Sequence, residues 1–474
     1  MTKAWELEGF LRAQDNQLFI GKFSAKELAE RFGTPLFVFS EMRIRQNIQR
    51  LYKVEEAIDC KLKVCYAAKA NSNMAILQSI RKIGCDIEVN SGGELWKALK
   101  AGFKGEQIIF NGTSKEDWEI EKAIEAEIYA IQVDSLYELS LIGKIARKMG
   151  KKANVSLRLV PEVETKTHSG LQTALSTSKF GMMPDEALFA FKNYKSCDFL
   201  NLCGIHIHIG SQNPDKSSYT NAMLFLFENL LRIEKEANVK LKHLNLGGGF
   251  PVNYLRDKTQ EKDFAPSVKQ IFSADFEPYE AVGEAWKEAK RNFPEVKTDD
   301  LTLLLEPGRS IIADAGICLT TVRNKKERPQ NSQDKDTLNS TTTETWLLTD
   351  AGFNILLSME TYKWYYQMIH AERSCEEHSY PYKIGGPLCD GGDVYFDIEG
   401  EGRLPDYRLL PPNTKPGDLL AILNCGAYSI AQMFPYNGRF LPCVLLVEEN
   451  GNVKVARKRD SFEDLIANEV FEEN

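Results

Sequence analysis

A chain of 474 residues is too long for one hydrophobic core and divides into two domains, or three. Its 43% hydrophobic and 27% charged residues are ordinary for a globular protein, and a formal net charge of −8 speaks against nucleic-acid binding. The opening MTKAWELEGFLRAQDNQ has no apolar core and does not read as a secretory signal. No run of about 18 apolar residues offers a membrane span, and the ten cysteines form no CxxC pair or zinc-ligand spacing. These features describe a cytoplasmic protein with reduced thiols and no membrane or nucleic-acid partner.

In chain order, LFIGKF (18–23) and TPLFVF (34–39) are the first strand candidates, and residues 1–40 are expected to pack with a β domain formed later. From about 60 to 310, short apolar runs alternate with helical patterns. The runs are KLKVCYAAK (61–69), CDIEVNS (85–91), QIIFNGT (107–113), IYAIQVDS (128–135), ANVSLRLV (153–160), LCGIHIHIG (202–210), LKHLNLGGGF (241–250) and LTLLLEPGR (301–309). Between them MAILQSIRKIG, GELWKALKAG, DWEIEKAIEAE and NAMLFLFENLLRIEKEAN carry apolar residues at three- and four-residue spacing. Eight such units predict an α/β fold, a closed (β/α)8 TIM-like barrel over 41–312, in preference to a doubly wound open sheet. Residues 313–474 read as a C-terminal mainly-β domain, with strands in ETWLLTDAG, PYKIGGPLC, YFDIEG, DLLAILN and PCVLLVEE. One helical stretch is expected near METYKWYYQMIHAER, and KKERPQNSQDKDTLNSTTTE (325–344) is expected to form a polar loop.

Reactive residue types gather at the C-terminal ends of the barrel strands, the face on which such barrels build active sites. Lys69 ends the first strand and Glu88 and Asn90 the second; Arg158 lies in the fifth. His206 and His208, then Gly210 and Ser211, follow in the sixth, Gly247–Gly249 in the seventh, and Glu306, Pro307, Gly308 and Arg309 in the eighth. A glycine turn lets backbone N–H groups approach a phosphate, and Arg309 and Ser211 add a charged fork and a hydroxyl. By itself GGG is more often a tight turn; with Arg309 one strand later it asks for a phosphorylated cofactor. Lys69 could bind an aldehyde as an imine or merely pair with Glu88 or Glu306. Glu306 could keep a pyridinium nitrogen protonated or pair with Arg309. His206 and His208 point the same way but have no further ligand at metal spacing, so a ring stacked on a flat cofactor is the better functional reading.

The motifs YAAKANSN (66–73), NSGGEL (90–95), SKFG (178–181), GIHIHIGSQ (204–212), GGGFP (247–251), EPGRSIIADAG (306–316), GPLCDGGD (386–393) and GAYS (426–429) resemble, in order and spacing, the alanine-racemase-fold pyridoxal-phosphate decarboxylases of the diaminopimelate and ornithine group. The resemblance runs from about PLFVF to DSFEDL. It implies that pyridoxal 5'-phosphate is bound through Lys69, with His208 stacked on its ring and Glu306 at its ring nitrogen. Ser211, Gly248, Gly249, Gly308, Arg309 and Tyr428 would hold its phosphate. Arg158 and Glu88 would sit beside Lys69, Glu88 standing where most relatives have aspartate. Cys389 would give a proton to the α-carbon after carbon dioxide leaves, and Asp390 would take the distal ammonium of a small amino-acid substrate. In such enzymes this cysteine serves the partner subunit, which implies a homodimer with shared active sites.

For the substrate, THSGLQTALSTSKFG, GIHIHIGSQ and EPGRSIIADAG look like diaminopimelate decarboxylases. Those usually carry CESGD, and an arginine shortly after the DAG turn for the second carboxylate; this chain has CDGGD, and Arg373 is the first arginine after Gly352. DAGFNILLS, GPLCDGGD and RKRDSFEDL look closer to bacterial D-ornithine/D-lysine decarboxylases. The expected activity is therefore decarboxylation at a D-configured α-carbon, of D-lysine, D-ornithine or meso-diaminopimelate. A conjugated or carrier-bound amino acid is the alternative substrate. An amino-acid racemase, against which GPLCDGGD speaks, and a silent regulatory homologue, which would lack Lys69 or Cys389, are the alternative classes.

Overall fold

The computed structural model describes residues 3–163, 171, 174, 175, 177–256, 262–329, 343–398 and 404–470. It divides into two compact units, one of Met1–Arg43, Asn253–Phe272 and Ala313–Asn474, the other of Ile44–Val252 and Ser273–Ile312. The first boundary thus falls three residues later than expected. Residues 253–272, expected within the barrel domain, group with the mainly-β unit instead.

In that mainly-β unit, β1 (Leu11–Gln14), β2 (Gln17–Ile20) and β3 (Phe23–Ser24) form a small antiparallel sheet. Strand β4 (Leu36–Ser40) reads LFVFS and is buried throughout, as a strand covered on both faces must be. Each such fully buried Leu, Val or Phe contributes about 1.5–3 kcal/mol relative to exposure.

The second unit is the barrel. Its strands are β5 (Lys61–Ala67), β6 (Asp86–Val89), β7 (Ile108–Phe110), β8 (Ala130–Val133), β9 (Ala153–Arg158), β10 (Leu200–His206), β11 (His243–Asn245) and β12 (Thr302–Leu305). All pair in parallel in sequence order, and β12 closes on β5, so each of the eight predicted runs is a barrel strand. Cys65, Ile109 and Leu304 pack together as one buried cluster. The helices start where local chemistry dictates. Asn73 accepts from Ala75 N–H, Ser91 from Glu94 N–H and Ser135 from Glu138 N–H, each satisfying a donor the helix leaves unpaired. Gly84 and Gly150 close two of these helices in left-handed geometry. Strand β10 ends at His206, so His208 lies in the loop beyond it rather than in the strand.

The chain then returns to the first unit with β13 (Gly316–Pro329), β14 (Thr343–Thr349), β15 (Met368–His370), β16 (Tyr380–Gly385), β17 (Arg408–Leu410), β18 (Leu419–Ile422), β19 (Cys443–Val447) and β20 (Val453–Arg457). The main sheet runs β17-β16-β14-β13-β4-β19-β20, with β18 pairing β13 and β15. Trp5, Leu11, Leu18 and Ile20 share a core with Val38, Ile317, Leu419 and Leu445.

Three expectations fail here. The polar stretch 325–344 is not all loop, because β13 and β14 extend into it in register (Lys325↔Leu347, Pro329↔Thr343); its residues 330–342 lie outside the described residues. YFDIEG is not a strand; Val394 beside it makes a single bridge to Gly385, and residues 399 and 400 are outside the described set. The expected helix near METYKWYYQMIHAER is one turn, Ser358–Thr361, followed by β15. Trp364, Tyr365 and Tyr366 are consecutive and all buried, with Trp364 edge-on to Tyr254 and Phe272 and Tyr365 edge-on to Phe264. No single helix face can bury three neighbours in a row. Much of THSGLQTALSTSKFG also lies outside the described residues. Among the described residues no helix is long and apolar enough to cross a membrane.

Candidate active site

Parallel strands deliver all their C-terminal ends to one mouth of the barrel, and the polar residues collect there. Lys69 sits in a tight turn (Ala68–Ala70) directly after β5, and its Nζ lies 3.4 Å from Oε2 of Glu88 on β6. Asn111, just after β7, donates from Nδ2 to Oε1 of Glu88 (2.7 Å) and to Oε2 of Glu306 (3.0 Å). Asn245, closing β11, donates to the other oxygen of Glu306 at 2.7 Å. The register sets Arg158 beside His206 and His206 beside Asn245. His206 Nε2 is 3.4 Å from Glu306 Oε2 but too poorly aligned for a hydrogen bond.

Burial and charge separate the two glutamates. Burial pushes the Glu88 carboxyl up to about 7, with Lys69 pulling the other way and Glu306 adding repulsion. Burial also opposes ionisation of Glu306, yet the groups around it, His206, Lys69 and the Asn245 amide, hold its carboxyl below the usual range. Burial outweighs the attraction of Glu306 for a proton on His206 and holds that imidazole below its ordinary value. His208 is held well below its ordinary value, first by burial and then by Lys69 and Arg158. Its Nδ1 accepts from Gly248 N–H at 3.3 Å, which leaves the ring proton on Nε2.

At the same mouth Arg309 donates from Nε to Ser211 Oγ at 3.2 Å. The glycine turn after β11 is packed backbone on backbone. A Cβ on Gly248 would collide with the Glu306 carbonyl, and one on Gly249, whose φ is +92°, with that of Gly210. Gly247 N–H is engaged by Asn245 Oδ1. This donor set fits a pyridoxal phosphate: a lysine for the aldehyde, an ionised carboxylate for the ring nitrogen, and a side-chain-free turn beside a guanidinium and a hydroxyl for the phosphate. Arg158 is buried under Phe180, whose ring centroid lies 4.2 Å from the guanidinium carbon. Ten predicted residues therefore meet here: Lys69, Glu88, Arg158, His208, Ser211, Gly248, Gly249, Glu306, Gly308 and Arg309.

Cys389, Asp390 and Tyr428 belong to the mainly-β unit. Cys389 and Asp390 are exposed on a turn that one short segment clamps: Asn437 accepts from Cys389 N–H (2.7 Å), Tyr436 reaches Asp390 (3.3 Å) and Arg439 donates to the Pro387 carbonyl (2.9 Å). From the other side Asp393 accepts from Leu388 N–H and Phe353 N–H. Tyr428 adopts φ +56°, a strained conformation for a bulky residue. Sequence reading missed Asn111, Asn245 and Asn437. The first two were visible as amides closing apolar strand runs; nothing local marks the third. Among the described residues no His, Cys, Asp and Glu group is arranged to hold a metal ion.

Residues 44–313 match the family model of the pyridoxal-dependent decarboxylases, pyridoxal binding domain. The chain is 34% identical to the diaminopimelate decarboxylase of Methanocaldococcus jannaschii, with 96% of each chain covered, and 33% identical to that of Aquifex aeolicus, with 97% of each covered. The crystal structure of the M. jannaschii enzyme in complex with L-lysine superposes with a TM-score of 0.83 at 32% identity, covering 98% of each chain. The family match and the site that fits its cofactor agree: this chain belongs to the pyridoxal-phosphate-dependent decarboxylases of the alanine-racemase fold.

Proposed function

We propose that the protein decarboxylates a free diamino acid at a D-configured α-carbon, with D-lysine or D-ornithine ahead of meso-diaminopimelate. The carrying observation is the charge around the Cys389 turn. A Cβ on Gly392 would touch Glu360 Oε1 (3.2 Å) and Asp390 Oδ1 (3.3 Å), so two carboxylates flank one exposed turn. Arg373, the first arginine after Gly352, is committed elsewhere, to Asp418 (3.2 Å), Thr414 (3.1 Å) and the Pro412 carbonyl (2.9 Å). Lys363 already pairs with Glu360 at 3.0 Å, so Asp390 is the carboxylate of the two that suits an ammonium, whereas a carboxylate taken from water needs a cation. The names of the relatives favour meso-diaminopimelate as the second reading.

When bound, pyridoxal phosphate supplies the electron sink for the pair left behind as carbon dioxide departs. Lys69 binds its aldehyde, with Glu88 and Arg158 alongside. Glu306 would hold a proton at the ring nitrogen, and His208, kept well below its ordinary value, would flank the ring without adding charge. Ser211, Gly248, Gly249, Gly308, Arg309 and Tyr428 hold the phosphate. Asp390 accepts the distal ammonium, and the Cys389 thiol gives its proton to the α-carbon, to be replaced from solvent. Exposure of Cys389 and Asp390 supports a homodimer in which the turn of one protomer serves the barrel of the other. The test is carbon dioxide release from meso-diaminopimelate and from each enantiomer of lysine and ornithine. Release from D-lysine or D-ornithine is expected. Release from meso-diaminopimelate alone would overturn the preference, and release from none would favour a conjugated substrate.

A further inference from the structure

The loops that follow β10 and β11 at the barrel mouth are fastened to each other. Gln212 is 0% exposed; it donates from Nε2 to the Val252 carbonyl (2.7 Å) and accepts from Val252 N–H at Oε1 (3.0 Å). One side-chain amide thus pairs with main chain as a strand neighbour would. Next along, Asn213 N–H donates to the Gly249 carbonyl at 2.8 Å. Asn213 Oδ1 accepts from Asp215 N–H (3.2 Å), and Asp215 Oδ1 accepts from Ser217 N–H (2.9 Å) to cap the helix Lys216–Ala237. These bonds fix where the start of that helix stands against the Gly247–Gly249 turn.

Tyr219 lies near that start. Its ring is stacked on Phe250, with centroids 5.2 Å and planes 9° apart, and is edge-on to Phe276 at 5.9 Å; the residue is 0% exposed. Packing explains the ring, and a phenylalanine would pack as well. It does not explain the hydroxyl. Tyr219 Oη has no hydrogen-bond partner among the described residues, and an unpaired buried hydroxyl is costly. The group ends where the two loops meet. A Cβ on Gly249 would lie 3.5 Å from Tyr219 Oη as well as colliding with the Gly210 carbonyl, and Gly210 leads into Ser211, which is tied to Arg309. The Gly249 carbonyl is already taken by Asn213 N–H. Burial holds the phenol well above its ordinary value, so the group is a donor and not a phenolate.

We propose that Tyr219 is a further residue of the cofactor's phosphate cradle, its buried O–H donating to the phosphate held by the glycine turn, Ser211 and Arg309. A phosphate brings three oxygens that each accept hydrogen bonds, which suits a donor that the protein leaves unspent beside that turn. The clamp at Gln212 and Asn213 keeps the donor in place before the cofactor arrives, so little ordering is left to be done on binding. The inference rests on reading the glycine turn as the phosphate cradle, and not on the identity of the substrate.

The test compares pyridoxal 5'-phosphate with pyridoxal, which has the ring and aldehyde but no phosphate. Full-length wild type, Tyr219→Phe and Arg309→Gln, each freed of cofactor, are titrated with both, following the absorbance of the bound compound. In Tyr219→Phe the affinity for pyridoxal 5'-phosphate should fall about tenfold or more, while that for pyridoxal changes less than about twofold. The phosphorus-31 resonance of the bound cofactor should move, and inorganic phosphate should compete about tenfold more weakly. Equal losses for both compounds would reduce Tyr219 to packing and overturn the proposal. An unchanged phosphate preference in Tyr219→Phe, with that preference lost in Arg309→Gln, would overturn it while leaving the cradle intact. A preference kept in both variants would remove the cradle reading as well. Circular dichroism checks folding. If Tyr219→Phe does not fold, Tyr428→Phe protein carries the measurement: inorganic phosphate should still shift a tyrosine C–O infrared band, and no shift overturns the proposal.

Discussion

At the barrel mouth, Glu88, Asn111, Asn245 and Glu306 are buried and bonded side chain to side chain, so removing one leaves its neighbours unpaired. At the turn bearing Cys389 and Asp390, the reactive side chains are exposed and the fixing is done through backbone groups, by Asn437, Arg439 and Asp393. The first arrangement is a preorganised socket whose electrostatics are set before anything binds. The second is a presented edge, rigid in its main chain and open in its side chains, suited to act on something outside its own unit. The mouth should therefore fail all together, and the turn one function at a time.

Substitutions can break that contrast. Lys69→Ala is expected to lower decarboxylation by on the order of 10³-fold or more and to abolish covalent cofactor attachment; turnover near the wild-type rate would remove Lys69 from its role. Cys389→Ala should slow product formation by about 10²-fold or more with cofactor affinity unchanged, as read by single-turnover kinetics and cofactor titration. Loss of cofactor in that variant would mean the turn is not independent of the mouth. Mixing the two inactive variants should restore about a quarter of wild-type activity if sites are shared in a dimer, since roughly half the dimers would be mixed and half their sites intact. No rescue argues for sites complete within one chain.

Stability against pH sharpens the same contrast. The Glu88 carboxyl is raised to about 7 in the folded protein, above its unfolded value. Its contribution is therefore fully present below about pH 4.5 and is lost as pH rises through 7. Relative to Glu88→Gln, the wild type should lose up to about 3 kcal/mol between pH 5 and 8, measured by denaturant unfolding without cofactor. Equal slopes for both proteins would show that the mouth does not carry this strain. The smallest effect is expected at the turn: Asn437→Ala removes one hydrogen bond to Cys389, about 1 kcal/mol, and should cut kcat less than tenfold without moving cofactor affinity.

The barrel was legible because each of its strands is an apolar run ending in a chemically distinctive residue, and eight repeats of the pattern leave few alternatives. The mainly-β unit was only partly legible. TPLFVF is a strand, but nothing local says that β4 will lie between β13 and β19, each far away in sequence. Trp364, Tyr365 and Tyr366 defeat periodicity because all three are buried, a fact of tertiary packing that no local spacing encodes. At the site, Lys69, Glu306 and Arg309 announce themselves by type and place. Asn111 does not, since its importance lies in touching two acids 23 and 195 residues away.

The position of β4 also has a consequence for synthesis. This strand of five buried residues is made within the first tenth of the chain, yet its two partners, β13 and β19, begin at Gly316 and Cys443. At about 5–20 residues per second, the nascent LFVFS segment waits on the order of tens of seconds with both edges unpaired. An exposed apolar edge is a template for wrong pairing. The ribosome-bound chain should therefore be a client of holding chaperones from its first domain boundary onward, and its yield on rapid overexpression should be limited by that wait rather than by the stability of the finished fold.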